Sequence, residues 1–330
     1  MAEEYIGVDL HKAFFQVCAV TGTGERLWER RFARSPEDIA RFATRIGSHT
    51  YLAVEACGPT WTFVDALAHT GAAVCVVDPR KTKLKAGFAA KTDRLDARRL
   101  ADALRRDSVV SVYIPPPAIR ALREVCRGRH QVVRLRTRLA QMIRSLLLRN
   151  GAGEPPGRRL YAPRALAWLA QVGLPPDADR QLRALTRVYQ DVHAEAQAAD
   201  TEVAMRAAAD PIAVALDGMT GIGAVLALTL RAEIGHISRF AYGPALASYA
   251  GLVPRVHQSG DRHYQGRITR EGSPWLRWAL VEAAIHALNR TDATGRWARR
   301  LAMRKGVYKA RIALARKLCD DVIAVWPKEG

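Results

Sequence analysis

Cysteine is scarce in this sequence, and what there is supports no structural role. The five residues Cys18, Cys57, Cys75, Cys126 and Cys319 are odd in number and include no CxxC pair, so neither a disulfide framework nor a zinc knuckle is expected, and a reducing cytoplasm fits best. No apolar stretch approaches the roughly 18 residues of a membrane span. The start, MAEEYIGVD, is acidic and passes at once into a strand-like run, which predicts a soluble, untargeted protein. There is no ATP-binding motif, no internal repeat and no lysine-rich low-complexity tail. Negative charge is the largest deficit: 32 acidic against 51 basic residues leave a formal charge of +19 and a pI near 10.3. Charge of that size calls for a polyanionic partner, and nucleic acid is the leading class.

What is present points to patterned, folded surfaces. Hydrophobic residues make up 49% of the 330, enough for real cores, and the length favours more than one domain. Residues 1–115 hold 17 basic and 14 acidic residues, 116–209 hold 16 and 8, and 210–330 hold 18 and 10. The nearly balanced first third reads as a catalytic domain (1–115), followed by a helical arm (116–209) and a C-terminal domain (210–330) that hold the substrate.

Short apolar or alternating runs at 5–8, 14–20 and 26–32, broken by HK and TGTGE, predict a three-strand meander. Ser35 and Pro36 before EDIARFATRI look like the start of a helix. YLAVEA (51–56) and AVCVVD (73–78) predict two more strands, separated by a helix over 59–71, and a last helix covers about 92–107. The order βββαβαβα is that of an α/β RNase H-like domain.

PPP at 115–117 marks a boundary. A long helix is expected over 118–150 and a second over about 178–209, joined by a loop containing GAGEPPG, in the manner of an antiparallel arm or coiled coil. The first carries nine arginines from Arg120 to Arg149 against the single acid Glu124, and Arg134, Arg136 and Arg138 on it are candidates for nucleic-acid contact. The C-terminal domain is expected to be mostly α-helical. LDGMTGIGAVLALTLRAEIG (216–235) reads either as a helix-hairpin-helix element or as an ordinary glycine turn between core helices. Residues 253–273 read as a loop without periodicity, before a helix starting at PWLRW and a basic helical tail.

Asp9 and Glu55 end two apolar strands, and Asp93 and Asp96 are three apart on one helix face. Four carboxylates converging in this way form a hard-oxygen site for Mg²⁺, the ion that phosphodiester cleavage uses to position and polarise phosphate. His11 and Lys12 could steer phosphate, although a turn is the safer reading; His257 and His263 lack metal-ligand spacing. Trp275, Trp278 and Trp297 read as core aromatics. Ser259, taken alone, is an ordinary turn residue.

GVDLHK, VEACGPTW, VVDPRKTK and KTDRLDARRLADAL, together with LDGMTGIG, RFAYGPALASYAGLVPRVHQSG and GRITREGSPWLRWALVEAA, make the chain resemble the insertion-sequence-110 family of DEDD transposases. That resemblance implies a RuvC-like N-terminal domain whose metal-binding catalytic tetrad is Asp9, Glu55, Asp93 and Asp96. It also implies a transposase-20-type C-terminal domain whose nucleophile is Ser259. Arg255, Arg262, Arg267 and Arg270 flank that serine and could neutralise a scissile phosphate. The family more often has a Thr-Gly pair after the glutamate, where this chain has Ala56-Cys57-Gly58-Pro59. The implied partners are donor and target DNA and a noncoding bridge RNA, acting at the bacterial nucleoid, and the apolar seam of the long helices predicts a homo-oligomer, a dimer or, on DNA, a tetramer. A metal-dependent junction endonuclease using water, and a non-catalytic architectural protein, are the rival readings.

Overall fold

The computed structural model describes residues 3–78, 82, 92–259, 262–289 and 291–327, with the backbone alone over 256–265. The chain forms two compact units, Met1–Ile114 and Pro115–Gly330. No described helix is long and apolar enough to cross a membrane.

The first unit is a mixed α/β domain. Strands β1 (Glu4–Leu10), β2 (Phe14–Thr21) and β3 (Arg26–Ala33) form the expected antiparallel meander, and β4 (Thr50–Glu55) and β5 (Ala73–Val77) continue the sheet parallel to β1. A sixth strand, β6 (Ser111–Val112), pairs antiparallel with β5, giving the order β3-β2-β1-β4-β5-β6. Two residues are too few to show an alternation, so β6 left no mark in the sequence pattern.

Alternation assigns the two faces. Ile6, Val8, Phe15, Val17, Leu52, Val54 and Val76 point to one core, closed by α1 (Pro36–Ala43) and α2 (Thr60–Leu67) through Phe42, Phe63 and Leu67. Phe15, Phe42 and Phe63 meet edge-on or stacked, with centroids 5.0 to 6.1 Å apart, and each contributes roughly 1.5–3 kcal/mol by burial. Ser35 caps α1, its hydroxyl accepting from the Asp38 amide at 3.2 Å. The opposite face is built of small residues, Gly7, Cys18 and Ala53, and α3 (Asp93–Arg105) packs there through Ala97, Leu100 and Ala101.

The second unit is helical. Its long helices α4 (Pro117–Arg149) and α6 (Pro176–Ala209) run antiparallel, with Arg129 Nε 2.7 Å from Asp200 Oδ1 and Arg136 Nη1 3.4 Å from His193 Nδ1. The segment between them was expected to be a loop; it contains α5 (Pro163–Gln171), whose Leu169 shares a core with Leu139, Ile143, Leu147, Leu182 and Tyr189. The other ends of α4 and α6 do not stand apart as an arm: Cys126, Val203 and Ala207 join one core with α7 (Pro211–Asp217), α8 (Ala224–Ile234), α9 (Gly243–Tyr249) and the helices that follow. Buried alanines such as Ala227, Ala279, Ala283 and Ala284 let these helices approach closely. Between α7 and α8, a Cβ on Gly221 would lie 2.8 Å from the Ala283 carbonyl, so this turn is packed against a neighbouring helix.

Residues 253–273 correct the expectation of an irregular loop. β7 (Pro254–Ser259) and β8 (Arg262–Ile268) pair as an antiparallel hairpin. Their mostly polar residues carry no apolar alternation, which is why the sequence concealed them. The hairpin stands between α9 and α10 (Pro274–Ala287), and its base is locked by Gly251 and Gly272, both at positive φ. A Cβ on Gly251 would lie 2.8 Å from the Glu271 amide, and one on Gly272 would collide with the Tyr249 carbonyl. The chain ends in α11 (Ala293–Lys305) and α12 (Val307–Val325).

Candidate active site

The acidic residues are placed by strand register and by one close helix contact. β1 and β4 are parallel, with Val8 opposite Val54 as the last paired residues, so Asp9 and Glu55 follow side by side. Asp9 shares its face with Gly7 and Glu55 with Ala53, the face on which α3 lies. Asp93 is the first residue of α3, and Thr92 caps it, its hydroxyl accepting from the Leu95 amide at 3.3 Å. Asp93 and Asp96 thus occupy the first turn, where the helix dipole favours negative charge.

Asp9, His11 and Asp93 form the tightest group: one ligand atom from each lies within 4.8 Å of the others. His11 Nε2 is 3.0 Å from Asp9 Oδ2 and 3.5 Å from Asp93 Oδ1. Asp96 stands beside this group, accepting from Arg99 Nη1 at 3.2 Å. The Asp9 carboxyl is pushed above the usual carboxylate range by burial first, with the charges of Asp93 and Asp96 adding to the rise and His11 opposing it. His11 is the member that sequence reasoning passed over as a turn residue. Its spacing of two from Asp9 at a strand end, which aims both side chains to one face, was the available signal.

The loop after Glu55 is fastened by Thr60, whose hydroxyl donates to the Glu55 carbonyl at 2.8 Å and accepts from the Cys57 amide at 2.9 Å. The exposed Cys57 thiol reaches the Leu10 carbonyl at 3.5 Å, tying this loop to the end of β1. The Ala-Cys-Gly-Pro departure is therefore accommodated at the end of β4 without displacing Glu55 from its register.

The other candidates belong to the second unit. Ser259 is the last residue of β7, opposite Arg262 at the turn of the hairpin; the side chains of both lie outside the described residues. Arg255, Arg267 and Arg270 are exposed, and Arg255 Nη2 donates to the Thr269 carbonyl at 3.3 Å. On α4, Arg134 and Arg138 are exposed and line one shallow groove with Gln131 and Gln141. Arg136 instead turns towards His193 and the Tyr161 ring, 5.9 Å from its centroid. Sequence reasoning also missed Glu233 on α8, only 1% exposed, which accepts from Arg127 through both carboxylate oxygens at 2.9 and 3.0 Å and from Ser273 at 2.8 Å. It joins α4, α8 and the start of α10.

Two family profiles match the chain. Residues 6–150, which include all four acids and His11, match the DEDD transposase profile of IS110 elements, and residues 213–300, which include Ser259, match the Transposase IS116/IS110/IS902 family. The chain carries both domains of IS110-family transposases. Relatives resemble it over almost the whole length. The transposase for insertion sequence element IS1111A of Coxiella burnetii is 28% identical over 98% of this chain and 90% of its own. A protein of Pseudomonas aeruginosa named "Probable family 20 transposase" is 28% identical over 98% and 97%. The pilin gene-inverting protein of Moraxella lacunata is 27% identical over 98% and 96%. Members of this family are enzymes that cut and rejoin DNA, and the acids at the end of the first sheet lie within the first matched segment.

Proposed function

We propose that the chain is a site-specific recombinase of an insertion sequence, in which Asp9, Glu55, Asp93 and Asp96 hold Mg²⁺ and Ser259 is the nucleophile. The observation that carries this reading is the convergence of like charges at the end of a family-matched sheet: a half-buried carboxyl with a raised pKa, two further acids on the helix beside it, and a fourth in register on the adjacent strand. Carboxylates that repel one another in this way suit a divalent cation, and their oxygen donors suit Mg²⁺. Such an ion, when bound, supplies charge neutralisation and orientation at the phosphodiester. His11 lies close enough to Asp9 and Asp93 to complete the group or to hold their orientation.

Ser259 attacks the phosphorus of one strand, the serine O–P bond forms as the bond to the leaving DNA oxygen breaks, and the hydroxyl proton is transferred as the leaving oxygen gains one. A DNA hydroxyl reverses the step on a second strand. The phosphodiester energy is retained in the phosphoserine, in keeping with a sequence that carries no ATP-binding motif. The acids belong to the first unit and the serine to the second, so assembly of the site from two copies is part of the proposal. The resemblance to the family supports a noncoding bridge RNA as the guide, with donor and target DNA held by basic surfaces such as Arg134 and Arg138.

The test separates chemistry from binding. Asp9→Asn and Asp96→Asn are expected to abolish Mg²⁺-dependent strand cleavage while leaving folding and DNA retention largely intact, because these acids do not attract the phosphate backbone. Undiminished cleavage by either variant would remove the tetrad from the reaction.

A further inference from the structure

The corner between α11 and α12 presents seven consecutive exposed residues, 303–309. Its foundations are firm. Asp292 caps α11 by accepting from the Gly295 amide at 2.8 Å, Arg299 Nη1 donates to the Leu288 carbonyl at 2.8 Å, and α12 is buried along Ala310, Leu314, Leu318 and Val322. On this ridge Met303 is 89% and Tyr308 82% exposed, the two most exposed large hydrophobic side chains among the described residues.

The surrounding charge is of one sign. From Ala293 to Cys319 there are nine lysines and arginines and no acid. Arg300, Arg304, Lys305 and Lys309 are exposed, and none has an ion-pair partner among the described residues. The Arg311 guanidinium lies 5.7 Å from the Tyr308 ring centroid, close enough to steady the ring. The second family match ends at residue 300, so neither profile reaches this corner.

We propose that the α11–α12 corner binds single-stranded DNA, with Tyr308 stacking on a base and Arg300, Arg304, Lys305 and Lys309 meeting the flanking phosphates. Uniform positive charge repels a second copy of the same surface and attracts a polyanion. The aromatic ring narrows the choice, because a duplex keeps its base faces inside the stack, whereas an unpaired strand offers them. Cutting and rejoining DNA exposes such strands. The proposal is independent of the chemistry assigned to the acids and to Ser259, since it concerns retention of a strand and not its cleavage.

The test measures binding of a fluorescent oligothymidylate by the full-length protein without divalent metal, so that failure at the catalytic residues cannot imitate failure here. Tyr308→Ala is expected to weaken single-strand affinity roughly five- to a hundredfold, with Tyr308→Phe close to the parent and a duplex of equal length much less affected. Replacing Arg304, Lys305 and Lys309 by Gln should flatten the salt dependence of the same binding. Because Tyr308 is exposed, unchanged thermal melting and light scattering should accompany these losses. Unchanged affinity in Tyr308→Ala, an equal loss on duplex, a larger loss on an RNA strand, or a change of oligomeric state would each overturn the assignment.

Discussion

Gly7 and Ala97 pack backbone to backbone: a Cβ built on Gly7 would collide with the Ala97 carbonyl and lie 2.5 Å from the Ala101 amide. Only glycine lets α3 lie this close to β1, and that approach brings Asp93 to Asp9. Gly7→Ala is therefore expected to displace α3, destabilise the first unit by about 3 kcal/mol and separate the acids. Thermal unfolding and Mn²⁺ titration monitored by spin resonance would both register it. A fully stable Gly7→Ala protein with parental metal affinity would show that the helix contact does not set the site.

The raised pKa of Asp9 makes the site a source of instability before metal binds. Its folded carboxyl holds a proton more tightly than the unfolded one, so its contribution to stability is full below the unfolded value and is lost as pH rises through the folded one. At pH 7 the metal-free protein should accordingly melt lower than Asp9→Asn, with the difference shrinking as pH falls through the carboxylate range. Added Mg²⁺ should raise the melting point of the parent and not of the variant. A less stable Asp9→Asn at neutral pH would contradict this reading of the charges.

Thiol chemistry reports on the same place. Burial pushes the Cys18 and Cys126 thiols up to about 11 and Cys319 to about 12, and raises Cys75 as well, whereas Cys57 is exposed. Cys57 should be the first residue alkylated in the native protein at neutral pH. Since its loop follows Glu55, a bulky adduct there should depress metal binding. Peptide mapping that finds Cys126 or Cys319 modified first would show that the second unit opens more readily than its packing indicates.

Much of the first unit was legible in the sequence because its strands are buried on one or both faces and its helices carry caps such as Ser35 and Thr92. Period and punctuation then coincide. β6 and the β7–β8 hairpin were not legible, the first for its length and the second because its residues are polar and its pairing rests on backbone hydrogen bonds. The placement of Asp9 and Glu55 at strand ends and of Asp93 and Asp96 on one helix could be read from the sequence. His11 offered only its spacing of two from Asp9, since its contact with Asp93 lies 82 residues away in sequence, and Glu233 offered no such mark, because its partner Arg127 is 106 residues distant.

Glu233 yields a prediction for the second unit. Truncating it leaves Arg127 and Ser273 without their shared acceptor inside a packed helical core. Glu233→Ala should destabilise that unit by about 3 kcal/mol, with Glu233→Gln less damaging. Chemical denaturation separates the outcomes, and a neutral Glu233→Ala would mean that the contact of α4 with α8 rests on apolar packing alone.

The exposed arginines of α4 give a quantitative expectation for binding. Each phosphate contact that is lost lowers the slope of log affinity against log salt by about 0.9 on duplex DNA. Replacing Arg134 and Arg138 together by Gln should thus flatten the slope by up to about 1.8, whereas Arg136→Gln, at a side chain turned towards Tyr161 and His193, should act mainly on stability. An unchanged slope in the double variant would assign this face to solvent.

The central claim, that acids of the first unit and Ser259 of the second act in one DNA-rejoining reaction, is tested most directly by trapping the reaction midway. The parent protein is incubated with Mg²⁺ and a nicked substrate whose leaving fragment diffuses away, then denatured, and the protein–DNA product is digested and mapped. The account predicts a denaturation-resistant adduct on the peptide carrying Ser259, absent from Ser259→Ala and from Asp9→Asn. Complete cleavage to free 5′-phosphate and 3′-hydroxyl ends without any adduct, or an adduct that persists in Ser259→Ala, would contradict it.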